Sequence, residues 1–210
     1  MTTMSRAYLR AAEAAVELLR DPAVSAAWDK PSALPEFSVR GLAGHLGSQV
    51  LHVTRMLAAE PVAERPMSLT EFYGAAQAFH TGIDSDINVR IREMGEDLAV
   101  DGAPALAAEV AAAVEEQRAA LPAEPDDRVV SFGQRPVRLA DYLVTRMMEI
   151  AVHSDDLAVS AGIETPELPH EVVEPVIGLL AELAVVRHGQ TPVLRALSRA
   201  ERAPGTIAAI

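Results

Sequence analysis

The stretch PALAAEVAAAVEEQRAALP, residues 104–122, narrows the fold more than any other segment. Alanine is the strongest helix former, and its one methyl buries little unless a second helix comes close. A chain built on such segments is stable only as packed helices. Half of the residues are hydrophobic, yet only 4% are aromatic. A sandwich or barrel would need β-branched and aromatic residues at alternate positions. The expected fold class is therefore all-α.

Residues 3 to about 20 read as an amphipathic helix stopped by Asp21-Pro22. WDKPSALPEF, residues 28–37, reads as an extended connection, because Lys30 and Leu34 precede prolines. Ser38 reads as the N-cap of a second helix from Val39 to about Ala59, ending before Pro61. Residues 68–95 read as a third helix, opened by the capping-box pair Ser68 and Glu71. Residues 104–122 form the fourth. The period then changes: Val129 to Phe132, a Gly133-Gln134 turn and Pro136-Val137-Arg138 predict a small hairpin. A fifth helix covers about 140–161 and is closed by Gly162, and residues 170–199 carry one or two more. With no repeat and no low-complexity linker, residues 1–210 read as a single domain.

Charge and cysteine count exclude several functions. The formal net charge of -12 opposes attraction to nucleic acid or to an anionic membrane. The N-terminus carries Arg6, Arg10, Glu13 and Glu17 and has no signal-peptide core. No run approaches the roughly 20 apolar residues of a membrane span, so a cytoplasmic location is expected. With no cysteine, any metal must be held by His, Asp or Glu.

Projected at about 100° per residue, the fifth helix sets Tyr142, Arg146, Glu149, His153 and Asp156 on one narrow strip. The remaining apolar arc, with Leu143, Met147, Met148 and Ile150, is wider than a surface helix needs. The helix thus reads as central and its strip as facing a cleft. On the second helix, His45, Gln49, His52 and Met56 share a strip beside Leu42, Leu46, Val50 and Val53. Gly41, Gly44 and Gly47 surround His45, each costing roughly 1 kcal/mol against alanine. They imply close helix approach or open space beside the imidazole. A Glu and a His four apart are common on a solvated helix face, and a lone His is more often core or rim than ligand. Together, two histidines and a carboxylate on two apolar helices suit Zn²⁺ or another divalent transition metal, with positions left open.

PSALPEFSVRGLAGHLGSQV, followed about a hundred residues later by RPVRLADYLVTRMMEIAVHSDDLAVS, resembles the maleylpyruvate isomerase N-terminal family. That family belongs to the DinB-like bundle superfamily of actinobacterial, mycothiol-dependent enzymes. The resemblance runs from the first helix to about Gly162, and RHGQTPVLRALSRAER in the tail looks like one subgroup. It implies a DinB-like four-helix bundle of up-down-down-up character, here with extra C-terminal helices and the hairpin. In the family, a helix-two His in a context like LAGHL and a Glu-x-x-x-His on a later helix bind a divalent metal, usually zinc. Those positions correspond to His45, Glu149 and His153. The resemblance further implies mycothiol or a similar thiol as co-substrate, bound to the metal and deprotonated at neutral pH. The isomerase itself has a second, C-terminal domain that contributes to its active site, and 210 residues leave no room for one. The expected activity is therefore thiol S-transfer to a small electrophile, or an isomerisation, rather than maleylpyruvate isomerisation.

No catalytic residue is assigned. Asp156 is expected to orient His153, with a general base of a metal hydrolase as the alternative. Arg146, His52 and Gln49 are candidates for contact with substrate or thiol; His52 lies about 10 Å along the axis from His45 and reads as a rim residue. Arg187, His188 and Arg195 form a basic cluster, and His80 and His170 receive no role. A metal-binding bundle without catalysis, as ligand sensor or relic, is the non-enzymatic alternative. The partners expected are a small-molecule thiol and an electrophile, with a homodimer left open.

Overall fold

Side-chain caps open the first four helices of the computed structural model, which describes residues 1–76 and 81–210. Among the described residues there are nine α-helices and one two-stranded hairpin, an all-α, DinB-like architecture. Helix α1 (Thr3–Leu19) starts where Thr2 accepts a hydrogen bond from the Ser5 amide. Asp21 and Pro22 do more than end it. Asp21 accepts from the Ala23 amide and opens a short helix, α2 (Pro22–Ala26), which the sequence reading missed. Cap and proline at a first turn start a helix as readily as they stop one.

Residues 28–37 avoid helix as expected, but they are not extended. The Ser32 amide donates to Phe37 O, the Phe37 amide to Leu34 O and the Val39 amide to Lys30 O, folding the segment into a tight loop. Ser38 then caps α3 (Val39–Ala58) through the Gly41 amide.

The single helix expected over 68–95 is two helices. The Ser68–Glu71 capping box opens α4, which spans only Leu69–Gly74, and α5 runs from Asp86 to Leu98. Gly74 weakens the first. In the interval, the Ser85 amide turns back to Gly82 O, and Asp84, Ser85 and Asp86 favour turns and caps over a helix interior. Residues 77–80, with His80, lie outside the described residues.

Helix α6 (Ala103–Ala120) leads to the hairpin, β1 (Val129–Phe132) paired antiparallel with β2 (Arg135–Arg138). Gly133 and Gln134 have φ of 57° and 65°, as a two-residue type I′ turn requires. Helix α7 (Leu139–Ala161) ends on Gly162 in the left-handed region, and α8 (His170–His188) and α9 (Gln190–Ser198) follow.

The core joins α1, α3, α6 and α7: both α1 and α3 pack on α6 and on α7. Tyr8, Leu42, Leu46, Leu106, Leu143, Met147 and Met148 are buried there. One polar knot fixes three helices at a common level. The Tyr8 hydroxyl donates to Gln117 Oε1, and Gln117 Nε2 donates to Val50 O and Thr54 Oγ1, each at 2.8 Å. The hairpin leans on α3 and α7. No helix among the described residues is long and apolar enough to cross a membrane.

Helix α5 touches α3 backbone to backbone. A Cβ at Gly44 would come within 3.0 Å of Gly95 O, and one at Gly95 equally close to Gly41 O. Glu96 secures the contact by accepting from Ser38 Oγ and from Arg40 Nε. Of the two readings of the glycines, close approach is the one found for Gly41 and Gly44. Gly44→Ala should therefore destabilise the protein by about 1–3 kcal/mol through backbone displacement. Gly178→Ala, in α8 with nothing within 4 Å of the new methyl, should instead stabilise by about 0.5–1 kcal/mol. Denaturant melts of the pair check both signs.

Candidate metal centre

Helices α3 and α7 run side by side and bring His45, Glu149 and His153 to one point, although 108 residues separate the histidines. One donor atom from each lies within 4.8 Å of the others. His45 Nε2 is 3.2 Å from His153 Nε2, and Glu149 Oε2 is 3.2 Å from the same nitrogen. Around a tetrahedral ion with bonds of 2.0–2.1 Å, donors stand about 3.3 Å apart. The spacing and the donor set, two imidazoles and a carboxylate, fit Zn²⁺ or another divalent transition ion.

Each side chain reaches this point for a local reason. Glu149 and His153 are four apart on α7 and leave the same face. His45 is seated from behind by the glycine contact with α5, and the Phe37 ring lies 5.8 Å from its imidazole. Asp156 Oδ2 is 3.0 Å from His153 Nδ1. With Nδ1–H donating to that carboxylate, His153 points Nε2 inward, where it offers a lone pair once its proton has left. His45 Nδ1 is buried without a hydrogen-bond partner among the described residues.

The charges agree with a site built around a cation. Burial holds His45 down at about 3, helped by the charge on His153. Burial also opposes the charge on His153, but hydrogen bonds to Asp156 and Glu149 raise it to about 9. Glu149 is desolvated as well, yet its hydrogen bond with His153 and the charge of Arg146 bring it down to about 2. At neutral pH without metal, Glu149 is a carboxylate facing an imidazolium. A metal entering here takes the place of a proton.

The other candidates fall into a second group behind this point. Arg146 is 4% exposed, donating from Nη1 to Gln49 Oε1 and from Nε to Thr145 Oγ1. Its guanidinium carbon lies 5.1 Å from the ring centroids of both Phe132 and Tyr142. Gln49 also donates to His45 O at 3.1 Å, so it links the guanidinium to the turn carrying His45. The His52 ring is 5.3 Å from that of Phe132. Phe37 and Phe132 were not singled out from sequence. Both come from non-helical segments, where no helical projection places them; the hairpin prediction beside Tyr142 was the available signal for Phe132. The basic residues of the tail serve its own packing, with His188 bonded to Ala208 O and Arg187 to Ala209 O. His170 lies exposed beside Glu174.

The raised His153 carries a consequence for stability. A group whose folded pKa lies above its ordinary 6.5 contributes fully below that value and loses its contribution as pH rises through about 9. The melting temperature of the metal-free protein should therefore fall between pH 6.5 and 9, and His153→Gln should flatten that slope in a thermal-melt series.

Known proteins add one finding. The chain matches the family described as Mycothiol maleylpyruvate isomerase N-terminal domain over residues 9–158, a span holding His45, Glu149 and His153. No curated protein and no solved structure matches it. Since the match covers well over half of the 210 residues, the resemblance read from the two motifs holds. The chain belongs to the mycothiol maleylpyruvate isomerase N-terminal domain family.

Proposed function

We propose that His45, Glu149 and His153 hold one divalent metal, zinc in the first instance, and that the protein is an enzyme activating a mycothiol-type thiol for attack on a small electrophile. The observation that carries this reading is the convergence of three donors within 4.8 Å of one another, with His153 Nε2 3.2 Å from each of the other two and Asp156 behind it. Three protein donors leave a fourth position for sulfur. A divalent ion bound there supplies the positive charge that lowers the thiol pKa.

The chain's own residues do the rest. Glu149 brings the negative charge that favours a dication over a proton, and Asp156 fixes the tautomer and direction of His153. Gln49 and Arg146 keep α3 and α7 in register beside the site. In S-transfer a carbon–sulfur bond forms as the S–H proton passes to solvent, and the electrophile's leaving group departs with the electron pair. In isomerisation the same bond forms and then breaks, returning the thiol. Residues 1–210 act in this proposal as one domain. Asp156 as general base of a hydrolase is the weaker reading, because its Oδ2 is already committed to His153 Nδ1.

The test is metal and thiol titration of the purified protein. Alanine at His45, Glu149 or His153 should abolish tight binding, while Asp156→Ala should weaken it by roughly 10- to 100-fold. All four variants should still fold, because a chain of this length buries enough apolar surface without an ion. Affinity in the parent should rise about tenfold per pH unit from pH 7 to 9, as one proton leaves His153 on binding. Glu149→Ala binding as tightly as the parent would remove the carboxylate from the site. A Co²⁺-loaded protein whose absorption does not change on adding a cysteine-based thiol would sink the thiol chemistry and leave a non-catalytic metal bundle.

A further inference from the structure

Helix α8 is apolar on more sides than its packing uses. Between Val172 and Val186 its only charged residues are Glu174 and Glu182. Val172, Val176, Leu179 and Leu183 are buried, and the helix packs on α7, α1 and α4. Yet Ile177 is 57% exposed and Val186 69%, and Val173 and Val185 are exposed as well. A helix that is apolar all round is ordinarily covered all round.

One row on the outer side has an internal symmetry. Glu174, Ile177, Ala181, Val185 and His188 follow at steps of three, four, four and three, so they share one helix face and read alike from either end. Ile177 and Val185 are exposed, and the half-buried Ala181 presents only a methyl at the midpoint. The ends of the helix carry opposite charge. Glu171 and Glu174 stand near its start, and Arg187 and His188 in its last turn. His188 gives Nε2 to Ala208 O, which leaves Nδ1 for an outside acceptor.

We propose that this row is the contact of a reversible homodimer, in which α8 of two copies packs antiparallel about a two-fold axis at Ala181. A second copy laid that way sets Ile177 against the other Val185, four residues to either side of the axis. Seven residues out, Glu174 meets the other His188, and the same pair forms again at the far end. Parallel pairing would instead set acids on acids and bases on bases, so charge selects the antiparallel form. A row that is its own complement calls for a second copy, because one patch serves both sides of a two-fold contact. An anionic bilayer is the wrong cover for a chain of net charge -12 with Glu174 and Glu182 exposed on this helix. With 19 residues, α8 is about 28 Å long. A contact one helix wide then buries less than about 600 Å² on each copy, the range of weak, reversible association. The proposal is independent of the metal and of the function proposed above.

Analytical ultracentrifugation of the full chain from about 1 μM to 1 mM tests the contact. The protein should pass reversibly from monomer to dimer and stop there, since a two-fold contact closes on itself. Ile177→Glu should weaken dimerisation by about tenfold or more. Its melting temperature at low concentration should hold, because the side chain already faces solvent. Val159→Glu, exposed on α7, should leave the dimer as it was. The chain has no cysteine, so cross-linking can read the register. Under mild oxidation Ala181→Cys should link to its own copy. Ile177→Cys should link to Val185→Cys faster than either links to itself, since like positions lie about 12 Å apart along the helices. A monomer at every concentration, growth beyond the dimer, or a dimer that Ile177→Glu leaves intact would overturn the proposal. Self-linking of Ile177→Cys as fast as the mixed pair would overturn it too.

Discussion

A carboxylate inside an apolar bundle must be answered by positive charge. Glu149 is 12% exposed on a helix whose other arc carries the buried Met147, Met148 and Ile150, and an uncompensated anion there costs several kcal/mol. The fold answers with His153 on the same helix face and with Arg146 one turn back. An apolar residue at 149 would have filled the space without that demand, and replacing buried ion pairs by packed hydrophobic residues is often neutral or stabilising. Stability alone is therefore a poor reason for the cluster to stand here. The titrations move in opposite directions, His153 upward and Glu149 downward, because each stabilises the charge of the other.

Such a cluster needs a scaffold that does not yield. Helix α3 is held on one flank by contact with α5 and on another by the Tyr8–Gln117–Val50 bonds that join α1, α6 and α3. The loop before α3 is fastened to α7 as well: the Ala33 amide donates to Ser160 Oγ at 2.8 Å. That clasp lies one helical turn beyond Asp156, so it ties the loop carrying Phe37 to the end of α7 that orients His153. Rigid surroundings of this kind keep donors near tetrahedral spacing before any ion arrives, which lowers the ordering cost of binding.

The all-α class, the capped start of α3, the hairpin and the end of α7 were legible in sequence, because each follows from local chemistry: alanine periodicity, Ser38, Gly133-Gln134 and Gly162. The strips on the second and fifth predicted helices were legible for the same reason, since they follow from 3.6-residue geometry alone. Two local signals misled. Asp21-Pro22 was read as a stop, although it also starts α2, and the apolar pattern after the Ser68 capping box hid the break between α4 and α5. What no local signal held was the meeting of strips. The 3.2 Å approach of His45 to His153, and Phe132 lying under Arg146, are long-range facts created by packing. The glycines around His45 hinted at the first; for the second, the hairpin expected next to Tyr142 was the one signal, and it named no partner for Phe132.

The two imidazoles are oriented by different means, and this divides the control of the site. His153 is turned by a charged hydrogen bond, which fixes its tautomer and makes its inner nitrogen a stronger donor. Among the described residues His45 has no such partner on Nδ1; its direction comes from shape, with the Gly44–Gly95 contact behind the helix and the Phe37 ring beside it. A change at Asp156 therefore acts on basicity at His153, whereas a change at Gly44, Gly95 or Phe37 acts on position at His45. The packing acts on one donor only, because α5 bears on the backbone of the turn that holds His45. The donors on α7 are thus set by charge and the donor on α3 by packing.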